Sequence, residues 1–312
     1  MILGRTDMTI RHKQHWPKVF CLACLALYGQ SAAAYLLFEG QPKWGDFTLG
    51  TGATVTWSLI PDGTDVLRTA DLPSLPAGTN EFLFQDFWSG PSNLTSIYTQ
   101  LDSNPANGAL IFRSALTRAF ATWAAVADLQ FVEIVDSGLP MAHPDASGTN
   151  AGDIRIGAFP LTDPFDCCAG FGFEPPGGTN FRTTWNPTTT GDISLNNLAF
   201  FSHFPGLQDG DASGGFPNDI EGLLIHELGH ALGLGHPEAD GLSPGEELAI
   251  MYVGAGCCDA LQRTLAADDI AGIQALYGPN PIPLPTSAWS FISGAIAISL
   301  LIRRRHDNRI NS

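Results

Sequence analysis

Basic side chains are scarce in this sequence. Lys and Arg together number 15 among 312 residues, whereas Asp and Glu number 31. Eight of the basic residues and two of the acidic ones lie in the first 34 and the last ten positions, so the body between them carries a formal charge of −22. Because binding of nucleic-acid phosphates requires clustered Lys and Arg, this body is a poor nucleic-acid partner. Its acidity favours solubility.

Internal repeats are absent, and charged residues of both signs make up only 15 % of the chain. The absence of Gly-Gly-x-Gly-x-Asp nonapeptides excludes the calcium-binding repeat architectures. With 34 Gly and 22 Pro, the composition is that of a loop-rich globular protein. A chain of this length can bury a substantial core in one large domain or two modest ones.

Long apolar runs are confined to the two ends of the chain. At the N-terminus, basic residues lead into "VFCLACLALYG", and "SAAAY" offers a small-residue cleavage site after Ala34. This order predicts a secretory signal peptide over residues 1–34 and export by the Sec route. A short membrane anchor is the alternative, although the run is too short to span a bilayer comfortably.

The C-terminal segment, residues 279–312, consists of a Pro-rich lead, an apolar run from 284 to 302 and the basic cluster Arg303–Arg305. The run is near the lower limit for a spanning helix, and the positive residues after it would hold the C-terminus in the cytoplasm. The order of Pro-Leu-Pro, a Trp-bearing apolar stretch and an arginine cluster resembles the PEP-CTERM sorting tail. That resemblance implies recognition in the inner membrane, cleavage and delivery to the cell envelope. A permanent single-span anchor is the alternative, and both place the body outside the cytoplasm.

Four cysteines remain once the N-terminal segment is set aside, as the adjacent pairs Cys167–Cys168 and Cys257–Cys258. An even number in an exported protein favours disulfides. Adjacent cysteines rarely bond to each other without backbone strain, so we predict two bridges between the pairs. These cysteines lack the two-residue spacer of structural zinc sites.

The body, residues 35–278, reads as one domain in which strands and helices are mixed. "ATVTWSLI" (53–60) alternates like a strand, and residues 61–108 read as a loop-rich insertion. A helix is predicted over 109–127 because its apolar residues form one stripe: Phe112, Leu116, Phe120, Trp123 and Ala127.

Three further strands are predicted before the next helix. They are "LQFVEIV" (129–135), "GDIRIGAF" (152–159), in which Ile154 and Ile156 alternate inward, and "GDISLNNLAFF" (191–201). The order predicts an α+β fold with a mixed twisted sheet packed on two long helices, and a third helix near the C-terminus.

The stretch "HELGHALGLGH" (His226–His236) carries the strongest functional signal. Asn218 and Glu221 have the spacing of a capping box that starts the helix. His226 and His230, four residues apart, project from one helical face, and Gly233 ends the helix in a left-handed conformation so that His236 can turn back. An apolar face is predicted for Leu223, Leu224, Leu228, Ala231 and Leu232.

Three neutral imidazoles bind zinc tetrahedrally with one position open, which is the arrangement of a catalytic site. Glu227 is not needed as a ligand. Its predicted role is to hold the attacking water, take its proton and pass that proton to the leaving amine, which is peptide-bond hydrolysis without a covalent intermediate. The alternative is an apolar helix with satisfied core histidines, but all five positions of HExxHxxGxxH agree with the site.

This motif resembles the metzincin zinc-protease signature, and more closely its matrixin branch. "AIMYV" resembles the family's Met-turn, with Met251 as the floor beneath the zinc, and "LAADDIAGIQALYG" (265–278) resembles the closing helix. The resemblance implies a zinc metalloendopeptidase with a protein or peptide substrate, and we expect the protein to be a monomer. The sequence departs from the family at Ser194, where a second zinc would have a His, and at Pro237. No cysteine-switch propeptide is visible.

"DGDASGG" starts like an EF-hand calcium loop, with Asp209, Asp211 and Ser213 as candidate ligands. Its twelfth position is Ile220, and Glu221 comes one residue late, so a Ca²⁺ site and a solvated acidic loop stay open as alternatives. His143 and His203 have no spaced partners and are predicted to be structural or surface residues.

Two other functions are compatible with the sequence. One is a binding module that keeps the metal fold without turnover, against which the intact Glu227 argues. The other is a structural protein of the cell envelope, which the C-terminal sorting tail favours. Zinc content and peptide cleavage separate both from an enzyme.

Overall fold

The computed structural model describes most of the body. All described residues belong to one compact unit that spans 33–312. The predicted signal peptide, the sorting tail from residue 282 onward, the calcium loop and Cys167, Cys257 and Cys258 lie outside them. The described ranges are 35–66, 88–143, 145–146, 150–161, 168–177, 189–204, 217–237, 249–252 and 263–281.

Five strands form a mixed sheet in the order β2-β1-β3-β5-β4. The first four are mutually parallel, and β4 runs antiparallel to β5 at the edge. Two short strands, β6 and β7, pair in parallel beside it. The strands are β1 Ala53–Leu59, β2 Leu129–Glu133, β3 Ile154–Phe159, β4 Gly170–Gly172, β5 Ile193–Asn196, β6 Phe201–Ser202 and β7 Asn218–Asp219.

The helices α1 Leu94–Leu101 and α2 Pro105–Ala124 connect β1 to β2, and α3 Ile220–Ala231 and α4 Ala267–Tyr277 follow β7. Parallel neighbours such as β1 and β2 need a long crossover, which these two helices supply. Helix α2 packs on α3, and α3 packs on β4 and β5. The predicted α+β class is therefore confirmed. No helix within the described ranges has the length and apolar character needed to cross a membrane.

Helix α2 has a well-defined start. The side chain of Asn104 accepts a hydrogen bond from the Ala106 amide, and Pro105 occupies the first helical position, where its missing N–H costs nothing. The apolar stripe predicted from the sequence is buried throughout: Phe112, Leu116, Phe120, Trp123 and Ala127.

The predicted insertion over 61–108 is wrong in its second half. Residues 94–101 form α1, and α2 begins at Pro105. Helix α1 buries Leu94, Ile97 and Leu101 against the core. Only two turns long and set among polar residues, this helix gives a weak periodic signal.

The predicted inward alternation of Ile154 and Ile156 in β3 is confirmed, but the opposite face of the strand is buried as well, so that all six of its residues are buried. Ile154 and Ile156 face the main core, as expected. On the other face, Arg155 forms a bidentate ion pair with Asp136, at 2.8 and 2.9 Å, and Phe159 packs in a second apolar cluster. A central parallel strand is covered on both faces, so burial rather than alternation shapes its sequence.

The single strand predicted over 191–201 is two strands. β5 ends at Asn196, whose side chain accepts a hydrogen bond from the Leu198 amide and closes a turn before β6. The edge strand β4 was not predicted. Its three residues, Gly-Phe-Gly, are too few to show a period and are not strand-favouring in composition.

Candidate metal centre and active site

Helix α3 starts one residue later than predicted. Its N-cap is Asp219, whose carboxylate accepts a hydrogen bond from the Glu221 amide, and Asn218 and Asp219 together form β7. The predicted capping box is therefore wrong. Glu221 instead forms ion pairs with Arg118 at 2.8 Å and Arg263 at 2.9 Å. Both arginines are distant from Glu221 in sequence, so the local sequence could not predict the role of this carboxylate.

Helix α3 has no exposed face, which corrects the predicted amphipathic pattern. All twelve residues are buried, including His226, Glu227 and His230. Close packing explains the small residues among them: a Cβ atom at Gly229 would lie 2.2 Å from the sulfur of Met251. Met251 thus packs directly against the helix turn between the two histidines.

The end of α3 is the Schellman turn that brings the third histidine back. The Leu234 amide donates to the Gly229 carbonyl and the Gly233 amide donates to the His230 carbonyl, both at 2.9 Å. Gly233 has a φ of 108°, as its predicted left-handed role requires. The chain then reaches His236 two residues after Leu234.

The three predicted ligands meet at one point. The Nε2 atom of His236 lies 3.0 Å from Nε2 of His226 and 2.8 Å from Nε2 of His230. Zinc–nitrogen bonds of about 2.0–2.1 Å in a tetrahedral site place ligand nitrogens roughly 3.3 Å apart. The spacing of the imidazoles therefore fits a small divalent cation with a slight outward adjustment.

The proton positions also suit a metal. Nδ1 of His226 donates to the Ile250 carbonyl at 2.7 Å, and Nδ1 of His230 donates to the Leu234 carbonyl at 2.8 Å. Because each Nδ1 carries the proton, each Nε2 presents a lone pair to the shared point. Converging lone pairs repel one another, and a bound cation would relieve that repulsion.

Burial favours the neutral form of His226 and His236. Burial lowers the pKa of His226, and the hydrogen bond to Ile250 only partly opposes this. Withdrawal of its ring from water, and then the neighbouring His226, lower the pKa of His236 to about 3, although the residue keeps an exposed edge. Imidazoles that stay unprotonated at neutral pH are ready to act as ligands.

Glu227 lies on the same helix as His226 and His230, and its carboxylate is held by a backbone group of the sheet. The amide of Gly172, in the edge strand β4, donates a hydrogen bond to its carboxylate. Its Oε2 atom is buried and has no hydrogen-bond partner within the described part of the chain. Burial raises the pKa of Glu227 to about 8, against the opposing effect of Gly172. A carboxylate in this state is well suited to exchange protons near neutral pH.

Asp269 supports the site and was missed by the sequence analysis. Its carboxylate accepts hydrogen bonds from the amides of Ile250 at 2.9 Å, Met251 at 3.2 Å and Ala266 at 2.7 Å. It thereby ties the Met251 turn to the start of α4. The acidic pair in "LAADD" marks a helix start, but nothing in the sequence connects it with a turn eighteen residues earlier.

The other predicted residues lie apart from the triad. Ser194 is buried, where it accepts a hydrogen bond from Trp88 Nε1 at 3.1 Å and faces the sulfur of Met141 at 3.8 Å. Cys168 is half-buried. Its predicted disulfide partners lie outside the described residues, so the disulfide pairing stays a prediction. Among the described residues, the triad is the one group with metal-binding geometry.

Comparison with known proteins agrees with this geometry. Metalloendoproteinase 1 of Glycine max is 28 % identical over 247 residues, covering 77 % of this chain and 64 % of the relative. Metalloendoproteinase 1-MMP of Arabidopsis thaliana is 30 % identical over 264 residues, covering 80 % and 49 %. Matrix metalloproteinase-16 of Mus musculus is 31 % identical over 206 residues, covering 62 % and 28 %. In each case the match spans less than two thirds of the relative's length.

The family model described as matrixin matches residues 88–278, which is more than half of the chain and includes both the histidine triad and the Met251 turn. The chain therefore belongs to the matrixin family.

Proposed function

We propose that this protein is an exported zinc-dependent endopeptidase whose catalytic domain spans residues 35–278. The observation that carries the proposal is the pairing of two features on one helix. Three imidazole nitrogens converge, two of them with Nε2 lone pairs fixed by backbone carbonyls at Nδ1, and beside the first ligand lies a buried carboxylate whose Oε2 has no partner among the described residues. Membership of the matrixin family, whose named relatives are metalloendoproteinases, supports the same activity.

His226, His230 and His236 would hold one zinc ion. A zinc ion supplies Lewis acidity, which lowers the pKa of a water molecule to about 7 and polarises a carbonyl. The hydrogen bonds to Ile250 and Leu234 orient the first two rings, and Met251 packs against Gly229, which lies between the two histidines on the helix. Glu227 takes a proton from the attacking water at its unpartnered Oε2 and returns that proton to the leaving amine, while the Gly172 amide holds the carboxylate in place.

The place of action and the accessory features are proposed on the sequence alone. Export through the signal peptide 1–34 and sorting by the PEP-CTERM-like tail 279–312 would deliver the enzyme to the cell envelope or beyond. Transient membrane attachment, a monomeric state, a Ca²⁺ site at 209–213 and bridges between Cys167–Cys168 and Cys257–Cys258 belong to the same proposal. The substrates would be proteins or peptides.

Replacement of Glu227 tests the mechanism. The purified protein is expected to contain one zinc per chain and to hydrolyse casein. Glu227→Gln should keep the zinc and lose at least about a thousandfold in kcat, since the amide cannot accept the proton. Glu133→Gln removes an exposed carboxylate and serves as the matched control.

The outcomes separate the candidate functions. Full hydrolysis by Glu227→Gln overturns the assigned base. A wild-type protein that holds zinc but cleaves nothing is a binding or structural protein with a metal fold, and one that holds no stoichiometric zinc refutes the site itself.

A further inference from the structure

The first described residues of the chain pair with the turn that follows α3. Leu37 and Leu234 form an isolated antiparallel bridge. The amide of Phe38 donates to the Gly233 carbonyl at 3.2 Å, and the amide of Gly235 donates to the Leu36 carbonyl at 2.8 Å. We call Leu36–Phe38 the N-terminal strap.

The segment paired with the strap belongs to the metal centre. The carbonyl of Leu234 accepts the hydrogen bond from Nδ1 of His230, and His236 follows Gly235 directly. The ring of Phe38 also lies against the imidazole of His230, with centroids 5.7 Å apart. One short segment thus orients the second ligand and carries the third.

The turn needs such an external partner because glycine flanks Leu234 on both sides. Glycine has the widest backbone freedom, so a turn built on two glycines is intrinsically loose. The two hydrogen bonds of the strap are made by those glycines, through the carbonyl of Gly233 and the amide of Gly235. The strap therefore holds the turn at the two points where the chain is least restricted.

We propose that the N-terminal strap is a positioning element of the metal centre, which fixes the turn and thereby slows loss of the metal from His230 and His236. The inference rests on the zinc site of the proposed function. Cleavage after Ala34 would leave a chain that starts at Tyr35, one residue before the strap, so export would keep the strap intact. Trimming beyond Phe38 would remove it and loosen the site.

The rate of zinc release from the full-length protein tests the strap, with excess chromogenic chelator as the probe. Phe38→Pro removes the amide that donates to Gly233 and should accelerate zinc release about 10- to 100-fold, the usual effect of losing a ligand's supporting contact. Leu37→Pro is the matched control. Leu37 and Leu234 are the non-hydrogen-bonded pair of this antiparallel bridge, so the Leu37 amide points away from the partner segment. Its zinc release should change less than about threefold.

Hydrogen exchange on the unmodified protein gives a second measurement that does not depend on the folding of a variant. Coupling between two sites is reciprocal, so zinc binding should slow exchange of the Phe38 and Gly235 amides. Exchange rates that are the same with and without zinc overturn the proposal, as does equal acceleration of zinc release by both proline variants. A protein that binds zinc tightly but cuts no peptide would refute the protease assignment and leave the strap standing.

Discussion

Nδ1 of His226 lies 2.7 Å from the backbone carbonyl oxygen of Ile250. This contact joins the first metal ligand to the turn that carries Met251, and it fixes which ring nitrogen bears the proton. The turn is itself held by the carboxylate of Asp269, through the amides of Ile250 and Met251. The orientation of a ligand on α3 therefore depends on a residue of α4.

Asp269→Asn is expected to weaken zinc binding about 10- to 100-fold, because the amide group places a donor against backbone donors and releases the turn that orients His226. Competition with a chelator of known affinity measures the change. Asp145→Asn, at an exposed carboxylate, is the control and should leave the affinity unchanged. Equal zinc affinity in both variants would show that Asp269 does not position the ligand.

Gly172→Ala is expected to reduce kcat/KM at least about tenfold with zinc still bound. A Cβ atom at this position would lie 2.4 Å from the carbonyl oxygen of Glu227, so β4 must move away from α3 and withdraw its amide from the carboxylate. At Gly170, in the same strand, an added Cβ atom would lie 3.3 Å from its nearest neighbours, so Gly170→Ala should reduce kcat/KM much less. Peptide hydrolysis and zinc content are measured on both, and similar activity of the two would contradict the role of Gly172.

Gly233→Ala should destabilise the fold by about 2–4 kcal/mol, since it combines an unfavourable backbone conformation with a steric clash. Its φ is 108°, and the added Cβ would lie 2.4 Å from the Pro42 carbonyl oxygen. Gly63→Ala, at a φ of 83° and with nothing within 4 Å of the added Cβ, is the control for the backbone cost of about 1 kcal/mol. Urea denaturation measures the free energy of unfolding of both variants, and an equal decrease in the two would show that the contact with Pro42 is unimportant.

The buried pair of Asp136 and Arg155 should make stability depend on pH. Burial raises the pKa of Asp136, but the hydrogen bonds and charge of Arg155 outweigh this, and the net pKa lies below the ordinary value of 3.8. The pair therefore contributes its full stability above pH 3.8, and that contribution is lost as the pH falls through the lowered folded-state pKa.

Asp136→Asn should accordingly lower the free energy of unfolding by about 3–5 kcal/mol at pH 7, because the buried guanidinium loses its ion-pair partner and is left with the carbonyls of Leu139 and Pro140 as acceptors. The difference from the wild type should shrink below pH 3.8, which denaturation at several pH values measures. Glu133→Gln, which breaks the exposed pair with Arg113, should cost less than about 1 kcal/mol. A pH-independent difference for Asp136→Asn would contradict the assigned charge state.

The parts of the site that could be predicted from the sequence are those set by local geometry. The spacing of His226 and His230 places both on one helical face, and Gly233 predicts the turn that returns His236. Predictions that depended on neighbours in space were less accurate. Asn218 has the right type for a helix cap, but its side chain donates to the Phe200 carbonyl at 3.0 Å, and Asp219 caps the helix instead. Gly172 and Asp269 could not be found, because each acts on a segment distant in the chain.

By itself, the sequence determined which residues face one another along the motif helix, how that helix ends and which side chains could hold a metal, since helical periodicity and glycine conformation are local properties. The tertiary structure alone decided what orients and protects that site. The Ile250 carbonyl fixes the proton on Nδ1 of His226, the Gly172 amide reaches the buried Glu227, and the strap at Phe38 holds the turn. These contacts form only when chain folding brings remote backbone groups together, and a sequence pattern carries no record of such pairings.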